Sequence, residues 1–518
     1  MPEPYIVKVP GPGNVEREVQ VYLPSEQAHM QVSQDGVERY RLSDAAWAQN
    51  VGVAVLVRKW SAEAGFADDV ARSALGVGLH ADGLSYSTTQ RVGYNRSAVV
   101  SAWNFITPDE DAARGKRFFF YGLSKKLLCN CGCEGYHTID ALNWVFAWSM
   151  VTCMLGVFPT RRHDGSAFTA HDRRNRKRGR MSCRAALLQV RGDWEWLTQA
   201  FRLRHYGADF FCWMCRASQA GPHSYLDTSP DAPWRSTIMS HEQYIEQMAQ
   251  LAQAPSKLFL APFFRYEYFC VDSMHAIDLG VFPDFAGSLF YLEIASKTLH
   301  NNYAAGLAFL NAELQAYYSC NKGLSAIELT LPAVKPSDGG APSLKAKAAA
   351  CRHLGPFLVY LAQRHARVGF QLEDDRLAQY SAEYRELVVK CAEFFVAYHS
   401  SCETVPFSPE YCKASMLGFL AAYNQLRQLF RRGVPPEEHS SQPFGARPKF
   451  HIADHLVSEK IFLYGSPRQF WCYGDEDFIG LIKRICVQTR HPRTMEARIV
   501  AKYALYCALH AYALHQMQ

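Results

Sequence analysis

Two pairs of potential zinc ligands, far apart in the sequence, constrain the fold more than any other feature. Cys212 and Cys215 lie in C-W-M-C, and residues 216–450 separate them from the second pair. His451 and His455 lie in H-I-A-D-H. Two cysteines and two histidines at these spacings are typical of a closed tetrahedral zinc site, but their separation is far too long for a zinc finger. We therefore expect one zinc ion to join the two ends of a large insertion.

An acidic residue lies outside each pair. Asp193, in R-G-D-W, precedes Cys212 by 19 residues, and Glu476, in Y-G-D-E-D-F, follows His455 by 21 residues. A zinc ion that joins the ends of the insertion would bring Asp193 and Glu476 to the same part of the fold.

The composition is that of a folded protein rather than a disordered one. The 518 residues are 48% hydrophobic and 20% charged, which is enough for two or three domains with a large buried core. The N-terminus lacks a basic stretch followed by an apolar one, so we expect no secretory signal. The longest apolar run, residues 144–158, is short for a bilayer span, so we expect a buried helix and no membrane partner.

The 16 cysteines indicate thiols and metal ligands rather than a disulfide framework, because we expect no secretion. Cys129, Cys131 and Cys133 form a C-x-C-x-C motif with His137 nearby. This cluster is a candidate for a second metal site, although its spacing is unusual for structural zinc. For Cys212, Cys215, His451 and His455, the alternative to a zinc site is a pair of buried cysteines beside two unrelated histidines.

Positive charge is concentrated in one short segment, although the net charge of the whole chain is only +6. The segment R-R-N-R-K-R-G-R either contacts phosphate groups of DNA, directs the protein to the nucleus, or is simply a solvated loop. Its basic residues are Arg173, Arg174, Arg176, Lys177, Arg178 and Arg180.

Hydrophobic periodicity predicts an α/β core in which the first three strands form an antiparallel meander. The predicted elements are strands at 76–87, 97–106 and 117–123, a helix at 138–156, a strand at 183–191, a short helix at 194–204, a strand at 209–213 and a last helix at about 467–488.

The order βββαβαβ followed by a helix is that of the ribonuclease-H-like core. In that fold, acidic residues lie on the first strand, just after the fourth strand and on the last helix. Asp82, Asp193 and Glu476 fall at those three positions. Three carboxylates suit a pair of Mg²⁺ or Mn²⁺ ions, which prefer oxygen ligands. Such a pair catalyses phosphoryl transfer by activating the attacking oxygen and stabilising the leaving one.

Two motifs give the sequence a resemblance to a known family. Asp193 is followed by a C-x2-C pair, and residues 270–280 read C-V-D-S-M-H-A-I-D-L-G. Both features are similar to those of DDE/D transposases, nearest to the CACTA-type (Tnp2-like), KDZ and Plavaka transposases and more distantly to the catalytic subunit of the V(D)J recombinase. The resemblance covers roughly residues 70–500.

The resemblance implies a nuclear enzyme that cleaves and joins DNA with two metal ions. Its partners would be transposon ends and target DNA, and it would work as a homodimer or a larger assembly. The V(D)J recombinase also implies that His451 and His455, shortly before Glu476, complete a zinc site with the cysteines.

The sequence departs from this family in two respects. The last acid stands in D-E-D-F-I-G rather than before an arginine, so Asp475, Glu476 and Asp477 are all candidates. We prefer Glu476 because of the F-x-G-x-x-K/R pattern that follows it. In addition, no zinc finger or helix-turn-helix motif precedes Asp82. DNA-end recognition must then come from residues 1–70, from the insertion or from a partner, unless it has been lost.

Each candidate acid also has a structural interpretation. Asp82 in H-A-D-G suits a polar turn, and Asp193 suits the N-cap of the helix that follows it. Asp272, in D-S-M-H, is the main rival for the second acid; its alternative role is to bond to neighbouring backbone. For His275 we favour a core or supporting position over a ligand position.

We expect four regions in the chain. They are an N-terminal segment (1–70), the first part of the core (71–215), a mostly helical insertion (216–450) and a C-terminal part that carries the zinc histidines and the last acid (451–518). Within the insertion, residues 352–369, 376–398 and 414–432 show helical periodicity.

Three functions are compatible with these patterns. The first is a DNA transposase or a recombinase derived from one. The second is a domesticated, non-catalytic DNA-binding or scaffold protein with the same fold. The third is a ribonuclease-H-like nuclease that acts on RNA or hybrid substrates, because fold alone does not settle function.

Overall fold

A computed structural model describes residues 1–49, 52–86, 97–106, 116–177, 179–251, 253–335, 339–489 and 494–516. The chain forms two compact units, each built from separated segments. Unit 1 comprises Met1–Ala208, Met239–Cys270 and Gln469–Gln518. Unit 2 comprises Asp209–Ile238 and Val271–Arg468.

The strands lie in two sheets of unit 1, a two-stranded one and a mixed four-stranded one. The strands are β1 (Tyr5–Pro10), β2 (Glu16–Val21), β3 (Leu75–Ser85), β4 (Ser97–Ile106), β5 (Phe118–Ser124) and β6 (Ala185–Arg191). The larger sheet has the order β5-β4-β3-β6. Its first three strands form the predicted antiparallel meander, and β6 runs parallel to β3.

Helices make up most of the rest of the described chain. In chain order they are α1 (Pro24–Asp35), α2 (Asp44–Gln49), α3 (Val53–Glu63), α4 (Asp68–Ser73), α5 (Tyr136–Leu155), α6 (Trp194–Phe201), α7 (His241–Gln250), α8 (Phe282–Ala295), α9 (Tyr303–Cys320), α10 (Leu331–Val334), α11 (Ala348–His353), α12 (Gly355–Val368), α13 (Ser381–Glu403), α14 (Pro409–Arg431), α15 (Lys449–His455), α16 (Ile461–Tyr464), α17 (Tyr473–Thr489) and α18 (Met495–Gln516).

The predicted α/β class is confirmed, and four of the five predicted strands form. The prediction of a strand at residues 209–213 is wrong, because this segment is a loop of unit 2. Within it, the ring of Phe211 packs edge-on against that of His451 at a centroid distance of 5.8 Å, so this apolar residue contributes to packing around His451 rather than to a sheet. Beside β6, the neighbouring position is instead taken by Phe269, which forms an isolated parallel bridge with Val190.

Helix α5 is the core helix that the apolar run predicts. Among the described residues it is the one helix with the length and hydropathy of a membrane span, and 67% of its most apolar window is buried inside the protein. It packs against α1, β1 and β6. Gly156, at φ 65°, ends the helix in the left-handed conformation that glycine adopts readily.

The C-terminal helices α17 and α18 cover the meander. Ile482 of α17 and Ile499 of α18 are fully buried in one hydrophobic cluster with Val100 of β4 and Phe119 of β5. Burial of side chains of this size stabilises a fold by roughly 1.5–3 kcal/mol each. This packing fixes the helix that carries Glu476 against the sheet.

Unit 2 contains the large helical region. The long helices α13 and α14 pack along each other. They correspond to the helices that the periodicity of residues 376–398 and 414–432 predicts. The predicted helix at 352–369 is divided at Leu354 into α11 and α12. Pro356 lies in the first turn of α12. This position suits proline, which has no N–H, because N–H groups in the first turn have no intrahelical acceptor.

Candidate functional site

Cys212, Cys215, His451 and His455 meet in unit 2, and their four potential ligand atoms lie within 4.8 Å of one another. Cys215 Sγ lies 3.2 Å from His451 Nε2 and 3.4 Å from His455 Nε2. Cys212 Sγ lies 3.4 Å from His455 Nε2. A tetrahedral zinc site with ordinary bond lengths has sulfur–nitrogen edges of about 3.5 Å. The cluster can therefore hold a metal such as zinc.

Local backbone geometry turns both sulfurs toward this point. The N–H of Met214 donates to Cys212 Sγ at 3.3 Å, and the N–H of Ala217 donates to Cys215 Sγ at 3.3 Å. Such hydrogen bonds favour thiolate over thiol because they stabilise negative charge on sulfur. The segment that carries Cys212 and Cys215 is therefore a loop whose backbone N–H groups point at the two sulfurs.

The two histidines are held by neighbouring side chains. His451 and His455 lie one turn apart on α15, and the ring of Trp234 packs edge-on against both at 4.4 and 5.0 Å. His455 Nδ1 lies 2.7 Å from a carboxylate oxygen of Glu459, which leaves Nε2 for the metal. A carboxylate behind a ligating histidine orients the ring and raises its basicity.

The pKa values of the clustered side chains are shifted in opposite directions by burial and by their neighbours. Burial works against charge on Cys212, but the Cys215 thiol and the two histidines hold its pKa well below the usual range. Burial and the neighbouring Cys212 raise the pKa of Cys215. Burial opposes charge on His455, but Glu459 and Cys212 raise its pKa to about 10. All four side chains are buried, so the ligand set is shielded from solvent.

The acidic candidates lie in unit 1. In the β3–β6 pair, His80 is the partner of Arg191, so Asp82 and Asp193 follow the last paired residues by two positions each. The two strands are parallel, and their carboxyl ends therefore lie at the same edge of the sheet. Gly192 confirms the close approach of these ends, because a Cβ there would meet the carbonyl oxygen of Ala81 at 2.9 Å.

Asp193 caps α6, as the sequence allows. Its Oδ1 accepts a hydrogen bond from the N–H of Trp196 at 2.6 Å. Capping fixes the backbone of Asp193 at the start of the helix and leaves its second carboxylate oxygen for another role.

Among the three consecutive acids of α17, the structure separates the roles. Asp475 is fully buried and forms ion pairs with Arg117 Nε at 2.6 Å and Arg191 Nε at 2.9 Å. Burial opposes the charge of Asp475, but the two arginines hold its pKa well below the usual range. Asp477 is exposed, whereas Glu476 is half-buried. Asp475 is therefore a structural ion-pair partner, and Glu476 remains the candidate.

The three candidate carboxylates do not form a single-ion site in the described residues. They are not among the groups whose ligand atoms all lie within 4.8 Å of one another. The parallel β3–β6 register, rather than a formed ligand cluster, is therefore what relates Asp82 to Asp193.

The rival acid has a local structural role. Asp272 accepts hydrogen bonds from the N–H groups of Met274 and His275 at 3.1 and 3.0 Å, and its Oδ2 lies 2.6 Å from His275 Nδ1. Its carboxylate therefore accepts from the first two backbone N–H groups of the π-helical segment Met274–Val281. This is the backbone-bonding alternative that the sequence left open for Asp272.

The basic segment is not uniformly exposed. Arg174 is buried, its Nη2 pairs with Glu26 at 2.7 Å, and Asp172 caps the short helix that carries it. Its predicted role in DNA binding is therefore corrected to a structural ion pair. Lys177 also lies near Glu26, at 3.1 Å. Exposed positions are Arg173, Arg176 and Arg180, and Arg178 lies outside the described residues.

Sequence reasoning missed the residues that support both sites. Arg191 ends the apolar segment A-A-L-L-Q-V-R. A charged residue in such an apolar strand indicates a buried ion pair, and this pattern could have identified Arg191. Glu459 lies four residues after His455, a spacing that places both on one helical face. No comparable signal marks Trp234.

No protein-family model matches the sequence at a significant level, and no curated protein does.

Proposed function

We propose that this protein is a DNA transposase or a recombinase derived from one, with Asp82, Asp193 and Glu476 as its metal-binding carboxylates. The observation that carries the proposal is the β3–β6 register. It brings Asp82 and Asp193 to one edge of the sheet, next to the helix that carries Glu476. Paired carboxylates at adjacent strand ends are suited to hard divalent cations.

The sheet supports a ribonuclease-H-like core. The order β5-β4-β3-β6, with a meander of three strands and a fourth strand parallel to the first, agrees with that fold. The parallel bridge of Phe269 to Val190 lies where a fifth strand of the fold would add. Helix α17 packs on β3 and β4, as the last helix of the core would.

The three carboxylates would hold Mg²⁺ or Mn²⁺ between the strand ends and α17. Two such ions supply activation of an attacking oxygen and stabilisation of a leaving oxygen in phosphodiester chemistry. Asp193 contributes with the oxygen that does not cap α6, and the cap holds that oxygen in a fixed direction. The ion pair of Asp475 with Arg191 fixes the turn of α17 from which Glu476 extends.

The zinc centre has a structural role in this proposal. Two thiolates and two imidazoles close a tetrahedral set, and a closed set leaves no position for substrate. It joins the segment Asp209–Ile238 to α15, which lies in the other segment of unit 2.

The partner is DNA, which Arg173, Arg176 and Arg180 would contact through its phosphates. A nuclear location and a homodimer or larger assembly belong to the same proposal.

The test combines metal binding and cleavage. Wild-type protein is titrated with Mn²⁺, followed by electron paramagnetic resonance, and is then incubated with supercoiled plasmid and Mn²⁺. We expect two bound ions and nicked plasmid. Asp82→Asn, Asp193→Asn and Glu476→Gln should each reduce nicking to background and weaken Mn²⁺ binding. Asp193→Asn should remain folded, because asparagine caps helices as well as aspartate does.

The matched control is Asp477→Asn, one residue from Glu476 and exposed. It should nick plasmid as the wild-type protein does. Wild-type protein that is folded but binds no Mn²⁺ and leaves the plasmid intact would overturn the proposal and favour a non-catalytic scaffold. Equal nicking by wild type and all three variants would assign the activity to other residues.

A further inference from the structure

A second cysteine and histidine cluster lies in unit 1, far along the chain from the first. Cys129, Cys131, Cys133 and His137 bring their ligand atoms within 4.8 Å of one another. His137 Nδ1 lies 3.3 Å from Cys131 Sγ and 3.8 Å from Cys129 Sγ. These separations bracket the sulfur–nitrogen edge of about 3.5 Å in a tetrahedral zinc site.

The loop between β5 and α5 reaches this shape through unusual backbone conformations. Gly132 and Gly135 both have φ near 91°, and Glu134 has φ 51°. Left-handed residues in such close succession reverse the chain tightly and turn the three sulfurs inward. Glycine at 132 and 135 makes this possible, because side chains are strained in that region. This geometry explains how a C-x-C-x-C motif can form one ligand set despite its unusual spacing.

The donor atoms select the metal. Three sulfurs and one imidazole nitrogen form a Cys3His set, which is one of the regular structural zinc sets. Mg²⁺ and Ca²⁺ prefer oxygen ligands and find none among these four side chains. With three thiolates, the zinc site would carry a net charge of −1. That charge lies at the N-terminus of the 20-residue helix α5, where the helix dipole stabilises anions.

The cluster also connects several elements of unit 1. Gly13, after β1, donates its N–H to Asn130 Oδ1 at 2.9 Å. The N–H of Cys129 donates to Thr138 Oγ1 at 2.8 Å. Gln199 of α6 donates to the carbonyl oxygen of Glu134 at 2.6 Å. A metal in this loop would therefore hold the start of α5 and brace α6.

Exposure distinguishes this cluster from the first one. Cys129 is buried, but Cys131 and His137 are exposed and Cys133 is half-buried. We propose that Cys129, Cys131, Cys133 and His137 bind a second zinc ion, which is structural and exchanges with solvent faster than the ion of the buried Cys2His2 centre.

The test is the zinc content and the rate of zinc release of the full chain. Protein purified without chelator should contain two zinc ions per chain by mass spectrometry. Transfer of zinc to an excess of a chromogenic chelator, followed by the absorbance of its zinc complex, should occur in two phases of equal amplitude. Cys131→Ser and His137→Ala should each contain one ion and lack the fast phase.

The control is Cys320→Ser, which changes another exposed cysteine outside both clusters and should keep two ions. Cys215→Ser should lose the slow phase and keep the fast one. A wild-type content of one ion that Cys131→Ser and His137→Ala leave unchanged would overturn the proposal.

If either variant fails to fold, Co²⁺-substituted wild-type protein decides the question. Its visible absorption should show two kinds of site, one with three sulfur ligands and one nitrogen ligand and the other with two of each. A spectrum of the second kind alone would also overturn the proposal. None of these readouts depends on DNA cleavage.

Discussion

At the scale of single residues, three adjacent acids on α17 show how far the sequence can be interpreted. D-E-D is chemically uniform, so the sequence left Asp475, Glu476 and Asp477 as candidates. Only the positions of Arg117 and Arg191 in other parts of unit 1 identify Asp475 as an ion-pair partner. Contacts between residues so distant in sequence cannot be inferred from local pattern. The first-choice acid, Glu476, remains a prediction.

We predict that Asp475→Asn destabilises the protein although it changes little in volume. Arg191, with a side chain 2% exposed, would lose its charged partner, and an unpaired buried charge costs about 3–5 kcal/mol. Thermal unfolding of Asp475→Asn and of Asp477→Asn should therefore differ by many degrees, with the exposed variant close to wild type. Equal melting temperatures would show that the ion pair contributes little.

A second residue-scale prediction concerns acid stability. Glu293 of α8 is fully buried, and its carboxylate contacts His365, His300 at 3.0 Å and Arg364 at 2.9 Å. Burial opposes its charge, but these partners lower its pKa to about 2 from 4.5. A depressed pKa stabilises the fold at pH values above 4.5, by about 3 kcal/mol here, and the contribution is lost as the pH falls toward 2.

The measurement compares the melting temperatures of wild type and Glu293→Gln across pH. The difference should be largest near neutral pH and shrink progressively between pH 4.5 and about 2, since the carboxylate of the unfolded chain binds a proton in that range while the folded carboxylate remains ionised. The control is Glu386, whose ion pair with Lys390 is exposed. Glu386→Gln should change the melting temperature by little at any pH. A difference that stays constant with pH would contradict the assigned pKa.

At the scale of elements, local pattern predicted strands and helices well where burial is regular. β3, β4, β5 and β6 lie within two residues of the predicted bounds at both ends, and the buried helix α5 was also predicted. The failure was residues 209–213, where aromatic residues report packing around a ligand cluster rather than sheet pairing. A short apolar segment beside candidate metal ligands can be either a strand or a loop packed around those ligands, and periodicity does not distinguish the two.

An element-scale prediction follows from Gly192, which connects β6 to α6 and lies close to the end of β3. A Cβ at this position would lie 2.5 Å from a ring carbon of Trp196 and 2.9 Å from the carbonyl oxygen of Ala81. Gly192→Ala should therefore force the strand ends apart and cost roughly 1–3 kcal/mol. If the proposed function holds, Gly192→Ala should also reduce Mn²⁺ binding, because Asp82 and Asp193 would separate.

Gly480→Ala is the matched control for that variant. A Cβ on Gly480 meets nothing within 4 Å, and alanine favours the helix by up to about 1 kcal/mol. This variant should unfold at the same or a slightly higher temperature. Equal stability of the two alanine variants would show that the strand ends have room to adjust.

At the scale of the whole molecule, each unit is assembled from segments that are distant in the chain. Unit 2 combines Asp209–Ile238 with Val271–Arg468, and within it the four candidate metal ligands come from both segments. The pairing of cysteines with histidines was predictable from ligand spacing. The assignment of Met239–Cys270 to unit 1 was not, because no composition change marks its ends.

We predict that loss of the Cys2His2 zinc loosens unit 2 first. Structural zinc contributes its binding energy directly to folding, so Cys215→Ser should open the segment Asp209–Ile238 to proteases. Limited proteolysis with mass spectrometry should locate the earliest cuts in that segment. Cys320→Ser should be digested like wild type, and an identical digestion pattern for Cys215→Ser would refute the expected role of zinc.

The separation of the candidate zinc ligands in the sequence also sets an order of events during synthesis. His451 follows Cys215 by 236 residues, so at about 5–20 residues per second the ribosome delivers it about 12–50 s later. Until then the two cysteines have no imidazole partners, and the zinc centre cannot close. Glu476 follows later still. A chain released early would carry Asp82 and Asp193 without their third carboxylate, so an unfinished product would lack the proposed DNA-cleaving site.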